Sequence, residues 1–139
     1  MSLYEYVLRP LLFRCDSEWA HDRAIALGAA LGRSRLACRL SDGLNRPADP
    51  RLAVTVAGLH FRSPVGLAAG FDKNGRAVDF LATLGFGHVE VGSVSAEPSA
   101  GNPRPRLFRL PADEAVVVHY GVPNDGAAAV AARLARRRT

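Results

Sequence analysis

Lysine is almost missing from this chain: of 18 basic residues, 17 are arginine and only Lys73 is lysine. Long apolar runs are missing too. No stretch approaches the roughly 20 residues a membrane-spanning helix needs, and Glu5 and Pro10 interrupt the start in a way that excludes a cleavable signal. Cysteine is scarce. Cys15 and Cys38 have no metal-ligand spacing and read as free thiols in a reducing compartment. Aromatics make up 7% of residues and are not interleaved with the arginines, which are spread along the chain apart from 136–138. A net charge of +5 therefore argues against a nucleic-acid module and points instead to an anionic lipid surface. No internal repeat or low-complexity tract is present.

What is present is organised around residues 64–94, which read as strand, glycine-punctuated loop, helix and strand. Residues 65–70 are an apolar run too short for a helix and bounded by Pro64 and Gly70. Residues 75–84 follow helical spacing through Val78, Leu81 and Ala82, with Gly85 placed for a left-handed C-terminal cap. Residues 88–94 are short and rich in valine, so the unit closes as a parallel βαβ crossover. Its ligand-facing ends then lie after Gly70 and after Val91. Lys73 stands in the first of these loops, within AAGFDKNG. A compact ammonium there can lie against a flat ring and give one charge to a carboxylate or a developing anion. The alternative is a chance lysine in a surface loop.

Ahead of this unit, residues 1–40 form a helical segment. Leu3, Tyr6, Val7, Leu8, Leu11, Leu12 and Phe13 predict a short apolar helix with Arg9 and Arg14 as its cations and Pro10 as a break. Asp16 or Ser17 caps a second helix with a stripe of Trp19, Ala20, Ala24, Leu27, Gly28 and Leu31. Such a pair either packs on an α/β core or touches a membrane. Residues 41–51 read as a turn-rich linker, 52–56 and 59–61 as a hairpin, and 127–135 as helix.

The strings AAGFDKNG, GFGHVEVGSV and GNPRPRLFRLP, the last at residues 101–111, resemble the quinone-dependent (class 2) dihydroorotate dehydrogenases, from Tyr4 onward. That resemblance implies an α/β fold. Residues 1–40 would be a membrane- and quinone-facing segment, 41–51 a linker, and 52–139 the N-terminal part of an FMN-type TIM (β/α)8 barrel. It implies oxidation of dihydroorotate to orotate through FMN, with electrons passed to a quinone, in pyrimidine biosynthesis. FMN would be touched by Ala69, Gly70, Lys73 and Ser93. Substrate would be touched by Lys73, Val118, His119, Tyr120, Gly121 and Val122, and the quinone tunnel by His21 and Arg109. It further implies a peripheral place on the cytoplasmic side of the cell membrane, and no metal.

Two departures qualify the resemblance. Where the family carries Asn-Arg-x-Gly-Phe-Asn-Asn, residues 118–125 read VHYGVPND, and Val118 offers no donor or acceptor to a substrate ring. A (β/α)8 barrel also takes roughly 250 residues. The family's serine base and phosphate loops are accordingly expected beyond Thr139, leaving a truncated chain inactive alone and prone to self-association through an open barrel edge. The alternatives are a non-catalytic remnant serving as a membrane-associated interaction module and an unrelated basic binding protein.

Overall fold

The computed structural model describes residues 4–47 and 49–137. Leu3 of the predicted apolar helix, and Arg138 and Thr139 at the end, lie outside the described residues.

The chain begins with a π-wound turn, Tyr4–Leu8, that runs into α1 (Arg9–Leu12). Pro10 lies where the winding changes, since it has no N–H to give to a preceding carbonyl. Helix α2 (Ser17–Gly32) is capped by Asp16, whose carboxylate accepts from the Trp19 N–H at 2.8 Å. Ser17 instead donates its hydroxyl to the Leu107 carbonyl. Of the predicted α2 stripe only Gly28 is buried, with Ala20 and Leu31 half-buried. Trp19 and Leu27 are exposed, and the buried residues are Glu18 and Gly28. A Cβ on Gly28 would meet that of Ala77 at 3.0 Å, so close backbone approach decides which face of α2 packs. Helix α3 (Arg35–Asn45), capped by Ser34, takes in residues 41–45 of the expected linker. Gly43 and Asn45 are tolerated near its end, and the linker proper reduces to a short stretch before the 3-10 turn Pro50–Leu52.

Strands β1 (Val54–Val56) and β2 (Leu59–Phe61) form the predicted hairpin, paired from Val54↔Phe61 to Val56↔Leu59. Its two turn residues, Ala57 and Gly58, both have positive φ, which suits the right-handed twist of the strands. The expected strands 65–70 and 88–94 run parallel over 65–70 and 87–92 but form no continuous strand. Leu67 and Val89 form a parallel bridge. The ladder continues with the Gly87, Leu67, Glu90 and Gly70 N–H groups donating to the carbonyls of Val65, His88, Leu67 and Gly92. The crossover helix is shorter than predicted: α4 is Val78–Leu81, because Gly75 at φ +62 cannot continue a helix. Gly85 takes the predicted left-handed conformation, with φ +88.

A second hairpin, β3 (Leu107–Leu110) with β4 (Ala115–Val118), is absent from the sequence-based expectations. Helix α5 (Ala127–Ala135) follows with the predicted bounds. Among the described residues the fully buried apolar core is small: Ala77, Val78 and Leu81 around α4, joined by Val130 of α5. Helix α2 lies across α4, and no closed barrel forms among the described residues.

Candidate functional site

The site grows from the end of the first parallel strand. Gly70 has φ +106, and immediately beyond it Asp72 is 2% exposed. The Asp72 carboxylate accepts from the N–H groups of Arg76 at 2.9 Å and Ala77 at 2.7 Å, satisfying the start of α4 and fixing the loop in between. Held this way, Lys73 turns back and donates to the Gly70 carbonyl at 2.9 Å, while its ammonium stands 4.0 Å from the centre of the Tyr120 ring. Partial burial pushes the Lys73 ammonium below its ordinary value, and the Glu18 carboxylate works against that shift.

Tyr120 is placed from the other side. Its carbonyl accepts from the Asn102 N–H at 2.8 Å, and the Asn102 amide donates to the His119 carbonyl at 2.6 Å. The Arg106 guanidinium lies 5.2 Å from the same ring. Arg106 also donates to the carbonyls of Ala100 at 2.7 Å and Asn102 at 2.8 Å, and doubly to Glu18, the shortest contact being 2.7 Å. Only 7% and 8% of these two side chains is exposed, so the α2 helix is joined to the 100–106 loop by a nearly dry ion pair. Arg104 adds a more exposed contact to Glu18 at 3.0 Å. Hydrogen bonds from Arg106 hold the Glu18 carboxyl below the usual carboxylate range, and burial raises the Tyr120 hydroxyl. His21 meets Phe71 edge to face at 5.2 Å. Burial, with the nearby Lys73 charge, lowers its pKa. These groups line one cavity of about 660 Å³ between α2, the 71–76 loop and the 99–125 segment.

Of the residues predicted from sequence, this cavity brings together His21, Lys73 and Tyr120. Ser93 is exposed, and Val118 and His119 sit on or beside β4 with His119 stacked on Phe108. Gly121 packs against Asn102, and Val122 gives its carbonyl to Asn124. Arg109 lines a different cavity, of about 420 Å³, with Tyr4, Phe13 and Val116. There it donates to the carbonyls of Leu12 at 3.2 Å and Cys15 at 2.9 Å, and lies over Phe13. His21 and Arg109 thus open on separate hollows.

Three contributors escaped the sequence reading: Asp72, Glu18 and the clamp role of Arg106. Asp72 stands next to Lys73 in AAGFDKNG and could have been found as a loop carboxylate preceding a helix. Nothing local marks Glu18 as the partner of a residue 88 positions away. Among the described residues no group of three His, Cys, Asp or Glu could hold a metal ion, and no helix is long and apolar enough to cross a membrane.

The sequence model of the dihydroorotate dehydrogenase family matches residues 51–139. The dihydroorotate dehydrogenase (quinone) of Chloroflexus aurantiacus is 52% identical over 136 residues, covering 96% of this chain and 38% of that protein. That of Gloeobacter violaceus is 53% identical over 138 residues, covering 99% of this chain and 38% of the relative. Solved structures of DHODH from Eimeria tenella are 41% identical. The ligand-free form superposes with a TM-score of 0.73 over 87% of this chain and 32% of that one, and the ferulenol complex with 0.70 over 84% and 29%. These neighbours place the fold in the TIM-barrel class, and the chain spans somewhat over a third of the length of its curated relatives. On the family match and the relatives together, this chain belongs to the dihydroorotate dehydrogenase family.

Proposed function

We propose that the chain forms the Lys73 side of the active site of a quinone-dependent dihydroorotate dehydrogenase, with residues 52–139 as the first part of its barrel. The observation that carries this reading is the placement of Lys73, the one lysine, at the end of a parallel strand. There it is held by the Gly70 carbonyl and the Tyr120 ring in the cavity of about 660 Å³.

The residues present fit a flat cofactor. A Cβ on Gly70 would meet nothing within 4 Å, so the strand end opens onto free space. Backbone atoms of Ala69 and Gly70, the ammonium of Lys73 and the hydroxyl of Ser93 are the donors and acceptors that would hold FMN. When bound, FMN supplies the two-electron acceptor that takes hydride from dihydroorotate and passes its electrons to a quinone. Lys73 contributes a fixed positive charge beside the position where negative charge develops. Tyr120 keeps that ammonium oriented, and the 118–122 segment borders the substrate. Val118 lends no hydrogen bond, so substrate orientation falls to Lys73 and backbone groups. The base that removes the substrate's ring proton is expected outside these residues, and the chain alone should not turn over dihydroorotate.

Residues 1–40 are proposed as the membrane and quinone side. Tyr6, Leu8 and Leu11 are exposed near the start, and Leu36, Leu40 and Leu44 form an outward apolar stripe on α3, the arrangement of a helix lying in a lipid interface. Spread arginines add attraction to anionic headgroups. His21 and Arg109 would flank the quinone from their two hollows. A peripheral position on the cytoplasmic face of the cell membrane follows from this reading. Flotation with anionic but not neutral liposomes is the expected behaviour.

The decisive experiment joins this chain to the remaining barrel of the Chloroflexus aurantiacus relative. The chimera should reduce a quinone with dihydroorotate. Its Lys73→Ala variant should lose most of the rate of flavin reduction, and Lys73→Arg should recover only part of it. An active chimera indifferent to Lys73→Ala would overturn the assignment.

A further inference from the structure

Two cations, Lys73 and Arg106, share one aromatic ring, and only one of them has a buried counter-charge. The Lys73 ammonium is 4.0 Å from the Tyr120 ring centre, and the Arg106 guanidinium is 5.2 Å from it. Unpaired, two positive groups on one ring would repel each other and drive the more mobile lysine into solvent. Glu18 prevents this. It takes two guanidinium nitrogens of Arg106, the closest at 2.7 Å, and it is itself 6% exposed. Arg106, so fixed, holds the Ala100 and Asn102 carbonyls, and Asn102 in turn holds the backbone of His119 and Tyr120. Ring position and ring charge are therefore both set from α2.

We infer that Glu18 and Arg106 are positioning residues for Lys73: through the Tyr120 ring they couple the α2 helix, and whatever α2 lies against, to the ammonium at the strand end. Both line the cavity but are only 6% exposed, and they act on Lys73 through Tyr120. The catalytic meaning of the coupling rests on the proposed function, but the coupling itself is a property of this chain. A displacement of α2 would loosen Glu18 from Arg106, release the 100–102 turn and shift Tyr120, leaving the Lys73 ammonium on the Gly70 carbonyl without the ring beside it. Contacts made by α2 at its outer face thereby reach the active-site cation by a continuous path of named groups.

The single lysine makes this measurable without activity. Lysine labelled at the ε-carbon gives one side-chain resonance in the 139-residue chain, and its attached protons carry an upfield shift from the Tyr120 ring. Tyr120→Leu calibrates that shift by removing the ring. In Glu18→Gln the upfield shift should be largely lost, and the midpoint of the Lys73 titration should rise toward its ordinary value, because leaving the ring relieves the burial that lowers it, a larger influence than the lost carboxylate. Arg104→Ala, which leaves the Glu18–Arg106 pair intact, should preserve the upfield shift. Should Glu18→Gln not fold, as judged by circular dichroism, Glu18→Asp withdraws the charge by one methylene and should move both readouts the same way by a smaller step. A folded Glu18 variant with the wild-type Lys73 shift and midpoint would overturn the coupling. Failure of the wild-type chain or chimera to take up FMN would count against the proposed function alone and leave the coupling standing.

Discussion

Arg106 and Arg109 stand three residues apart in one string and live in opposite kinds of surroundings. Arg106 is 6% exposed, doubly bonded to Glu18, and ties α2, the 100–102 turn and Tyr120 together. Arg109, just past it on β3, reaches two carbonyls at the end of α1 and lies over Phe13, in a region where Tyr4, Phe13, Val116 and Leu110 are all exposed. The first region is held by polar contacts that satisfy one another. The second is apolar surface spread over α1 and the β3–β4 hairpin with little burying it. The small apolar core around Ala77, Val78, Leu81 and Val130 cannot fix the cavity by itself, so directional bonds from Glu18, Asp72 and Arg106 do so.

The contrast breaks most visibly at Glu18. Glu18→Ala leaves the buried Arg106 guanidinium without its carboxylate, a change that costs about 3–5 kcal/mol in well-buried pairs. This pair is dry but lies only a short way below the surface, which favours the lower end of that range. Arg109→Ala, which removes hydrogen bonds in a half-exposed place, should cost about 1 kcal/mol. Urea midpoints of the two variants measure the difference, and equal losses would erase the distinction between the regions.

Acid should weaken the same pair reversibly. Glu18 is lowered by its bonds from Arg106. Asp125, raised by burial, is lowered overall by Arg76 and Arg133, and His21 is lowered by burial and Lys73. For each group the unfolded chain binds a proton more readily than the folded one. Stability is therefore full above the unfolded values and falls as pH drops toward the folded ones. The decline should begin below the ordinary histidine value of 6.5 and steepen below the ordinary glutamate value of 4.5. In Glu18→Gln the lower part of the decline should be shallower. A melting temperature independent of pH between 7 and about 3.5 would contradict the linkage.

Asp72→Asn tests the loop more gently. An amide has one acceptor oxygen and an NH2 in place of the second, so either the Arg76 or the Ala77 N–H loses its partner, at about 1–3 kcal/mol. Hydrogen exchange should speed at the start of α4 while the β1–β2 hairpin keeps its wild-type rates.

How much of this was legible in the sequence follows from the range over which each signal acts. The parallel pairing of 65–70 with 88–92 was readable because Pro64 and Gly70 bound an apolar run. The β1–β2 hairpin was readable from Ala57 and Gly58, and α5 from its alanines. All are local. The length of α4, expected over 75–84, was misjudged because Gly75 is left-handed at φ +62 and the Arg76 and Ala77 N–H groups bond to the Asp72 carboxylate, which delays the start to Val78. Residues 101–111 were read as a family string with its arginines and 112–117 were assigned no element, so the strand pair on either side of the 111–113 turn was missed. The predicted α2 stripe was right at Gly28, where the backbone approaches Ala77, and wrong at Trp19 and Leu27, which are exposed. At the site, Lys73 was found by its rarity and Tyr120 and His21 by resemblance. The Glu18–Arg106 clamp joins residues far apart in sequence and carries no periodic mark.

The smallest effect on stability is expected at β4, and it separates folding from association. All four residues of β4 are exposed, while on β3 Leu107 and Arg109 are half-buried and Phe108 and Leu110 exposed. Val116 and Val118 share one face, paired with Arg109 and Leu107, while Val117 lies on the other, paired with Phe108. Threonine keeps the β-branch that suits a strand and replaces one methyl by a hydroxyl that water can satisfy. Surface changes of this kind stay within about 0.5 kcal/mol, so the urea midpoint should hardly move. Association should respond differently, because exposed apolar strand surface pairs readily with another chain. Sedimentation of the wild-type chain should show concentration-dependent oligomers. The Val116→Thr, Val118→Thr double variant should shift them toward monomer if the face beside Arg109 is the sticky one, and Val117→Thr should do so if it is the Phe108 face. Oligomers that persist unchanged in the triple variant would mean that the hairpin is not the contact, and that the exposed leucine stripe of α3 is the surface to test next.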